Sequence, residues 1–207
     1  MGGFRGTALF PIVAVAAFTG ARRGEILALL WSDFDPASKS LRIERALEDT
    51  KSLGLRIKGP KTERGKRTIA LDEGLVALLS AERNKALRPV AGIPAGADAN
   101  VSLVTLPETS LIFPSPAGGG PRRPRNVTKE FARHAAKIGF PKLRFHDLRG
   151  THETLLLDAG VPVHVVAARC GHDPAVLLRS YARRTRKADS SAAAIIGALS
   201  KSVLGNR

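Results

Sequence analysis

Three short runs between Leu41 and Leu71 alternate apolar and polar residues, and helical periodicity brackets them on both sides. Leu41-Arg-Ile-Glu-Arg-Ala-Leu, Leu55-Arg-Ile-Lys and Arg67-Thr-Ile-Ala-Leu each put every second side chain on one face, the pattern of a half-buried strand. Together they predict a small antiparallel sheet in a mostly helical chain, an α+β fold. The second and third runs flank Gly59 to Lys66, where Pro60-Lys61-Thr62 opens a turn rich in Lys and Arg and reads as a hairpin.

Before the sheet, Ala8 to Leu30 reads as two helices broken near Thr19-Gly20, the second with Ile26, Leu27, Leu29 and Leu30 on a broad inner face. After it, Asp72 caps a helix running to about Leu87, and Pro89 to Pro107 is a loop or linker rich in Gly, Ala and Pro. Leu111-Ile-Phe-Pro reads as a short strand, followed by a Gly-rich loop ending in Arg122, Arg123 and Arg125. Helices are expected at Asn126 to Ile138, Phe145 to Asp158, Val163 to Cys170 and Pro174 to Arg183. Gly160 stops the second of these, and Leu148, Leu155 and Leu156 anchor it in the core. From Ser190 to Leu204, Ile195, Leu199 and Val203 form one stripe, which predicts a tail helix over 190–207.

The formal charge of +15 comes from 33 Lys and Arg against 18 Asp and Glu, a balance that favours a polyanionic partner, nucleic acid or an anionic membrane surface. Membrane insertion is excluded by length, because the best apolar run, Ala8 to Phe18, is short and holds Pro11. That run lacks a good cleavage context at Thr19 to Arg23 and reads as a core helix rather than a signal peptide. The single Cys170 excludes an internal disulfide, as suits a reducing cytosol, and cannot alone make a metal site.

Four separated segments carry candidate chemistry. Arg22 and Glu25 stand at i,i+3, so the carboxylate can orient the guanidinium. Lys61 sits in the basic turn, and His146 and Arg149 share one helical face. Gly171-His172 precedes Tyr181, the only tyrosine, by nine residues. A phenol with pKa about 10 is a poor nucleophile without cationic neighbours. Each segment alone has an ordinary reading: a surface ion pair, a solvated hairpin, a packed tyrosine. His134, His152 and His164 read as surface or packing histidines, and Cys170 as a small buried apolar side chain. The run Arg183, Arg184, Arg186 and Lys187 fits a solvated face and phosphate contacts equally.

Taken in order, Thr-Gly-Ala-Arg-Arg-Gly-Glu-Ile-Leu, His-Asp-Leu-Arg-Gly-Thr-His and Gly-His with Tyr nine residues on resemble the boxes of the tyrosine recombinases, the phage integrases and their relatives. The resemblance runs from about Leu9 to the tail. It implies an α+β catalytic domain over 1–207 that cleaves and rejoins double-stranded DNA through a 3′-phosphotyrosyl link. It makes Tyr181 the nucleophile, Arg22 (rather than Arg23) and Arg149 the clamp on the nonbridging oxygens, and Lys61 the acid for the 5′-oxygen. His146 assists proton transfer, His172 bonds the scissile phosphate, and Glu25 supports Arg22. Two permanently charged forks suit that task, and neither a metal nor another cofactor is expected. The resemblance also implies assembly of four protomers on DNA through exchange of the 190–207 helix, with a monomer when free, and a cytoplasmic location. The N-terminal helical DNA-gripping domain usual in the family is expected to be missing. Two rivals are a type IB topoisomerase, which relaxes supercoils without exchange, and a non-catalytic DNA-binding module retaining the fold.

Overall fold

The apolar stretch becomes helix α1 (Phe10–Thr19), with Pro11 in its first turn, where a missing N–H costs nothing, and Ile12, Val13 and Val15 fully buried. The computed structural model describes residues 2–59, 65–94, 100–101, 103–118 and 120–182. Helix α1 ends where expected, at Gly20, whose left-handed φ of 67° lets its N–H cap Ala16 O. A Cβ there would stand 2.7 Å from His152 Cδ2 and 2.8 Å from Cys170 Sγ, so only glycine fits. The chain turns at once into α2 (Arg23–Leu27), which buries Ile26 and Leu27.

The strands differ from the alternation in one respect. β1 (Phe34–Asp35), β2 (Ser40–Ile43) and β5 (Arg67–Ala70) form an antiparallel sheet in the order β1-β2-β5, while β3 (Ala46–Thr50) and β4 (Gly54–Lys58) pair separately. The single strand expected from Leu41 to Leu47 therefore splits at Glu44-Arg45. The inward parity survives the break, since Leu41, Ile43 and Leu47 are all buried. Arg45 takes the intervening inward position and pairs with Asp33, whose carboxylate is wholly buried and also accepts the Leu30 N–H at 2.9 Å. That buried charge needs its cation, and the strand changes partners where it is supplied. Among the described residues β4 and β5 are not paired with each other. Lys61 itself lies outside the described residues.

Helix α3 (Glu73–Val90) starts at its expected cap, where Asp72 Oδ1 accepts the Leu75 N–H at 3.1 Å, and runs three residues past Leu87. The expected strand at Leu111 is an isolated bridge to Leu30. Then come α4 (Pro124–Lys137), α5 (Asp147–Asp158), α6 (Val163–Cys170) and α7 (Pro174–Ala182). The main core joins α1, α2, the β2-β5 sheet, α3 and α4, with Phe4 stacked on Phe131 at 5.2 Å and Phe145 edge-on to Phe131. A second, small cluster of Val166, Ala167 and Leu177 seats α7 on α5 and α6.

Helix α5 is anchored by two of its three expected leucines, Leu148 on the main core and Leu156 on the small cluster. Leu155 is 64% exposed, and the buried face presents Arg149, Gly150, His152 and Glu153 to the interior. A polar face survives burial only if its groups are partnered, and here they are. Among the described residues no helix is long and apolar enough to cross a membrane. The tail stripe and the Arg183 to Lys187 run fall outside the described residues.

Candidate active site

Arg22 is the N-cap of α2. Its backbone N–H donates to Glu25 Oε2 at 2.8 Å, its Nη1 to Glu25 Oε1 at 2.9 Å and its Nη2 to Gly171 O at 2.9 Å. The Arg22 side chain keeps 43% of its surface exposed. Burial pushes the Glu25 carboxyl up, but Arg67 and Arg22 outweigh it and hold the group below the usual carboxylate range.

Arg149 is the third residue of α5, in its first turn, and is 3% exposed. Its Nη1 donates to Gly20 O at 2.6 Å and its Nη2 to Cys170 O at 2.7 Å, while Nε stands 3.1 Å from Glu153 Oε1. Each Nη carries a second N–H. His172 Nε2 lies 2.8 Å from Glu153 Oε1 and 3.2 Å from Arg149 Nε. The Arg149 Nε–H donates to His172 Nε2, and Glu153 Oε1 lies within ion-pair reach of both groups. Glu153 thus orients both Arg149 and His172. It was missed in the sequence, though its i,i+4 spacing from Arg149 repeats the logic of Arg22 and Glu25.

Arg22, Arg149 and His146 line one cavity of about 500 Å³, together with Arg23, Thr128 and Arg144. Residues 127 positions apart in the chain are joined there because Arg149 bonds the Gly20 carbonyl two residues before Arg22. His146 is the N-cap of α5. Burial, then the charge of Arg149, lowers its pKa, so the ring is neutral at pH 7 and able to accept a proton. Arg23, the neighbour set aside in favour of Arg22, donates instead to Thr128 of α4.

Tyr181 stands elsewhere. Its hydroxyl donates to Asp158 Oδ1 at 2.8 Å, in the last turn of α5, nine residues and about 14 Å along the axis from Arg149. That hydrogen bond raises the phenol pKa, the reverse of activation. Leu177 is the buried residue among those described on α7, and burying one leucine contributes only about 1.5–3 kcal/mol. The helix carrying the phenol is lightly held.

The remaining histidines and the thiol serve structure. His152 is buried, with Nδ1 2.9 Å from Ala17 O and Nε2 accepting from Arg169 Nε at 3.2 Å. His134 lies against Phe4, and His164 is exposed. Burial pushes the Cys170 thiol up to about 11.

Two surfaces adjoin this centre. A cleft of about 1290 Å³ between the β3-β4 pair and the start of α4 is lined by six cations, Arg23, Lys51, Lys58, Arg123, Arg125 and Lys129, against Glu48 and Asp49. Lys58 and Arg56 both engage Glu48, which leaves the balance positive. On the opposite side of α5, an apolar groove of about 670 Å³ is lined by Phe18, Leu155, Leu156, Val161 and Val165.

Comparison with known proteins shows the family and the fold. The Phage integrase family model matches residues 7–187. A tyrosine recombinase XerC-like protein of Caldanaerobacter subterraneus subsp. tengcongensis is 29% identical over 178 residues, covering 81% of this chain and 43% of that protein. The integrase of Mycobacterium phage L5 is 25% identical over 189 residues, covering 90% and 46%. The chain therefore spans less than half the length of these curated relatives. Among solved structures, the Tn1549 transposon integrase in complex with transposon right end DNA superposes with a TM-score of 0.70 at 20% identity, covering 90% of this chain and 57% of that one. XerA recombinase gives 0.62 at 20% identity, covering 98% and 58%. The shared fold is the α+β fold of the tyrosine recombinases, mostly helical with a small antiparallel sheet.

Proposed function

Because the chain belongs to the phage integrase family, we propose that it breaks and rejoins double-stranded DNA as a tyrosine-type site-specific recombinase. The observation that carries this reading is the convergence of Arg22, Arg149 and His146 on one cavity, each arginine oriented by its own carboxylate.

A phosphate enters that cavity with its nonbridging oxygens toward the two guanidinium groups, which stabilise the charge that builds during attack. Arg22 offers the exposed fork, whereas Arg149 contributes a buried charge and its remaining N–H groups. The phenol first exchanges Asp158 for the phosphate, so α7 shifts before chemistry begins. The Tyr181 oxygen then bonds to phosphorus, its proton passing toward His146. The P–O5′ bond breaks, and Lys61 protonates the departing 5′-oxygen. The products are a 3′-phosphotyrosyl link and a free 5′-hydroxyl. Attack by another strand's 5′-hydroxyl reverses each step. His172, held by Glu153, donates to the same phosphate. The cationic cleft receives the flanking backbone, whose contacts supply most of the affinity and make it salt-dependent.

Incubation with nicked duplexes, in which the cut strand diffuses away, should trap a covalent protein–DNA adduct visible after denaturation. A protein that binds these duplexes tightly yet never forms the adduct contradicts the reading.

The role of Lys61 has its own test. Lys61→Ala should cripple cleavage of ordinary DNA, yet a 5′-bridging phosphorothiolate, whose sulfur leaves without a proton, should restore most of the rate. Lys66→Ala should behave as the parent on both substrates. Equal defects of Lys61→Ala on both would make it a phosphate contact only.

The apolar groove beside α5 receives the 190–207 helix of a neighbouring protomer, with Ile195, Leu199 and Val203 against Phe18, Leu155 and Val165. Four protomers then join on two duplexes, and the free chain is a monomer. Deleting 190–207 should leave melting and single-site binding unchanged while abolishing higher-order complexes on paired sites. A large fall in melting temperature would show instead that the tail packs on its own chain.

A further inference from the structure

Arg67, the first residue of β5, showed in the sequence only as a strand terminus. Its side chain is 7% exposed, and all three of its nitrogens are engaged. Nη2 donates to Glu25 Oε2 at 2.8 Å and Nη1 to Glu25 Oε1 at 3.3 Å and to Gly65 O at 3.0 Å. Nε donates to Arg169 O at 2.7 Å. Glu25 in turn holds the Arg22 backbone and fork, and the other arm of Arg22 reaches Gly171 O. The contacts close a ring: β5 to α2, α2 to the residue after α6, and the end of α6 back to β5.

This ring is a poor device for stability alone, because a buried ion pair rarely outperforms apolar packing. Its geometry has another consequence. A carboxylate gripped from one side by Arg67 has a single orientation left to offer Arg22, whose half-exposed side chain would otherwise sample several rotamers at the cavity rim. The Arg169 carbonyl that Arg67 holds lies two residues before Gly171, which accepts from Arg22 and immediately precedes His172.

We propose that Arg67 is a positioning residue: it fixes the Glu25 carboxylate so that the Arg22 fork stands preformed for phosphate, and it locks that fork to the segment carrying His172. The proposal rests on the strand-cleavage reading of the site for its effect on rate, but the ordering of Arg22 is a property of the free protein.

The charges facing Glu25 are Arg22 from its own segment, Arg67 from β5 and, at longer range, Arg149 from α5. From α6, Arg169 and Cys170 face Arg67, and the thiol stays protonated near neutral pH. Removing Arg67 leaves Glu25 with its burial penalty and without its strongest cation, so its carboxyl protonates at a higher pH than in the parent. Once neutral, it releases Arg22.

Arg67→Met keeps the stem and removes the fork. Its single-turnover adduct formation should fall about 10- to 100-fold, less than the loss of a direct transition-state donor. The rate should also acquire a new acid limb, falling as pH drops, that the parent lacks. Affinity for nicked duplex should change less than twofold, roughly, since phosphate contacts dominate binding. In Arg67→Met/Glu25→Gln the limb should vanish, because the group that titrates is gone, and the rate should stay low at every pH. A uniform loss with no new limb would reduce Arg67 to a structural residue. The second measurement needs no DNA: ¹⁵N relaxation of the Arg22 guanidinium should report an ordered side chain in the parent and a mobile one in Arg67→Met. The Arg45 guanidinium, paired with Asp33, should be unaffected. If the parent forms no adduct, the cleavage reading fails while the Arg22 ordering still decides the role of Arg67. An Arg22 equally ordered in both proteins overturns the proposal.

Discussion

Replacing Tyr181 by phenylalanine should abolish covalent attachment to DNA while leaving affinity nearly unchanged. One hydroxyl contributes little to a binding energy dominated by phosphate contacts, and the chain has no second tyrosine to take its place. The substitution also removes the hydrogen bond to Asp158, but that contact is exposed, so melting should move little. Denaturing electrophoresis after incubation with a nicked duplex reads the first effect, and equilibrium binding the second. An adduct that persists in Tyr181→Phe would exclude this phenol as the nucleophile.

The two clamp arginines should separate under substitution because they are held differently. Arg22→Lys keeps the charge at a half-exposed site but loses the fork, so cleavage should fall about 10²-fold or more with little loss of stability. Arg149→Ala should be as damaging to cleavage and should also cost about 3–5 kcal/mol of folding stability, since it strands the buried Glu153 carboxylate. The Gly20 and Cys170 carbonyls lose their donor in the same substitution. Urea denaturation measures the difference. Parental stability in Arg149→Ala would mean that its network does not hold α5 to the end of α1. Arg23→Lys should be mild, and a larger cleavage defect there than at Arg22 would shift the first box by one residue.

Local signals carried much of this far. The break at Gly20, the Asp72 cap and the ends of α6 all follow from short-range rules that the sequence displays. The split of the Leu41 to Leu47 run was hidden, because it depends on a buried Asp33 that lies eight residues upstream of its first residue and on which strand each half pairs with. The polar inner face of α5 was hidden for the same kind of reason. Its leucines mark packing that Leu148 and Leu156 do make, and only the tertiary partners of Arg149 and Glu153 bury the polar face as well. Within the candidate site, Arg22, His146 and Arg149 stood out in the sequence and line one cavity, whereas Arg67, Glu153 and Asp158 had not been singled out. Each acts through a partner distant in sequence or on another turn, so residue type alone gave no reason to single it out. The position of Tyr181 was equally hidden, since it depends on how α7 docks rather than on spacing from His172.

The central claim, a covalent link from this phenol to a DNA 3′-phosphate, is most directly tested by mass spectrometry of the adduct trapped on a nicked duplex. Digestion should yield one peptide carrying a nucleotide through its 3′-phosphate on Tyr181, and the released strand should bear a 5′-hydroxyl open to kinase labelling. A linkage on any other residue, or a released strand ending in a 5′-phosphate, would contradict the account.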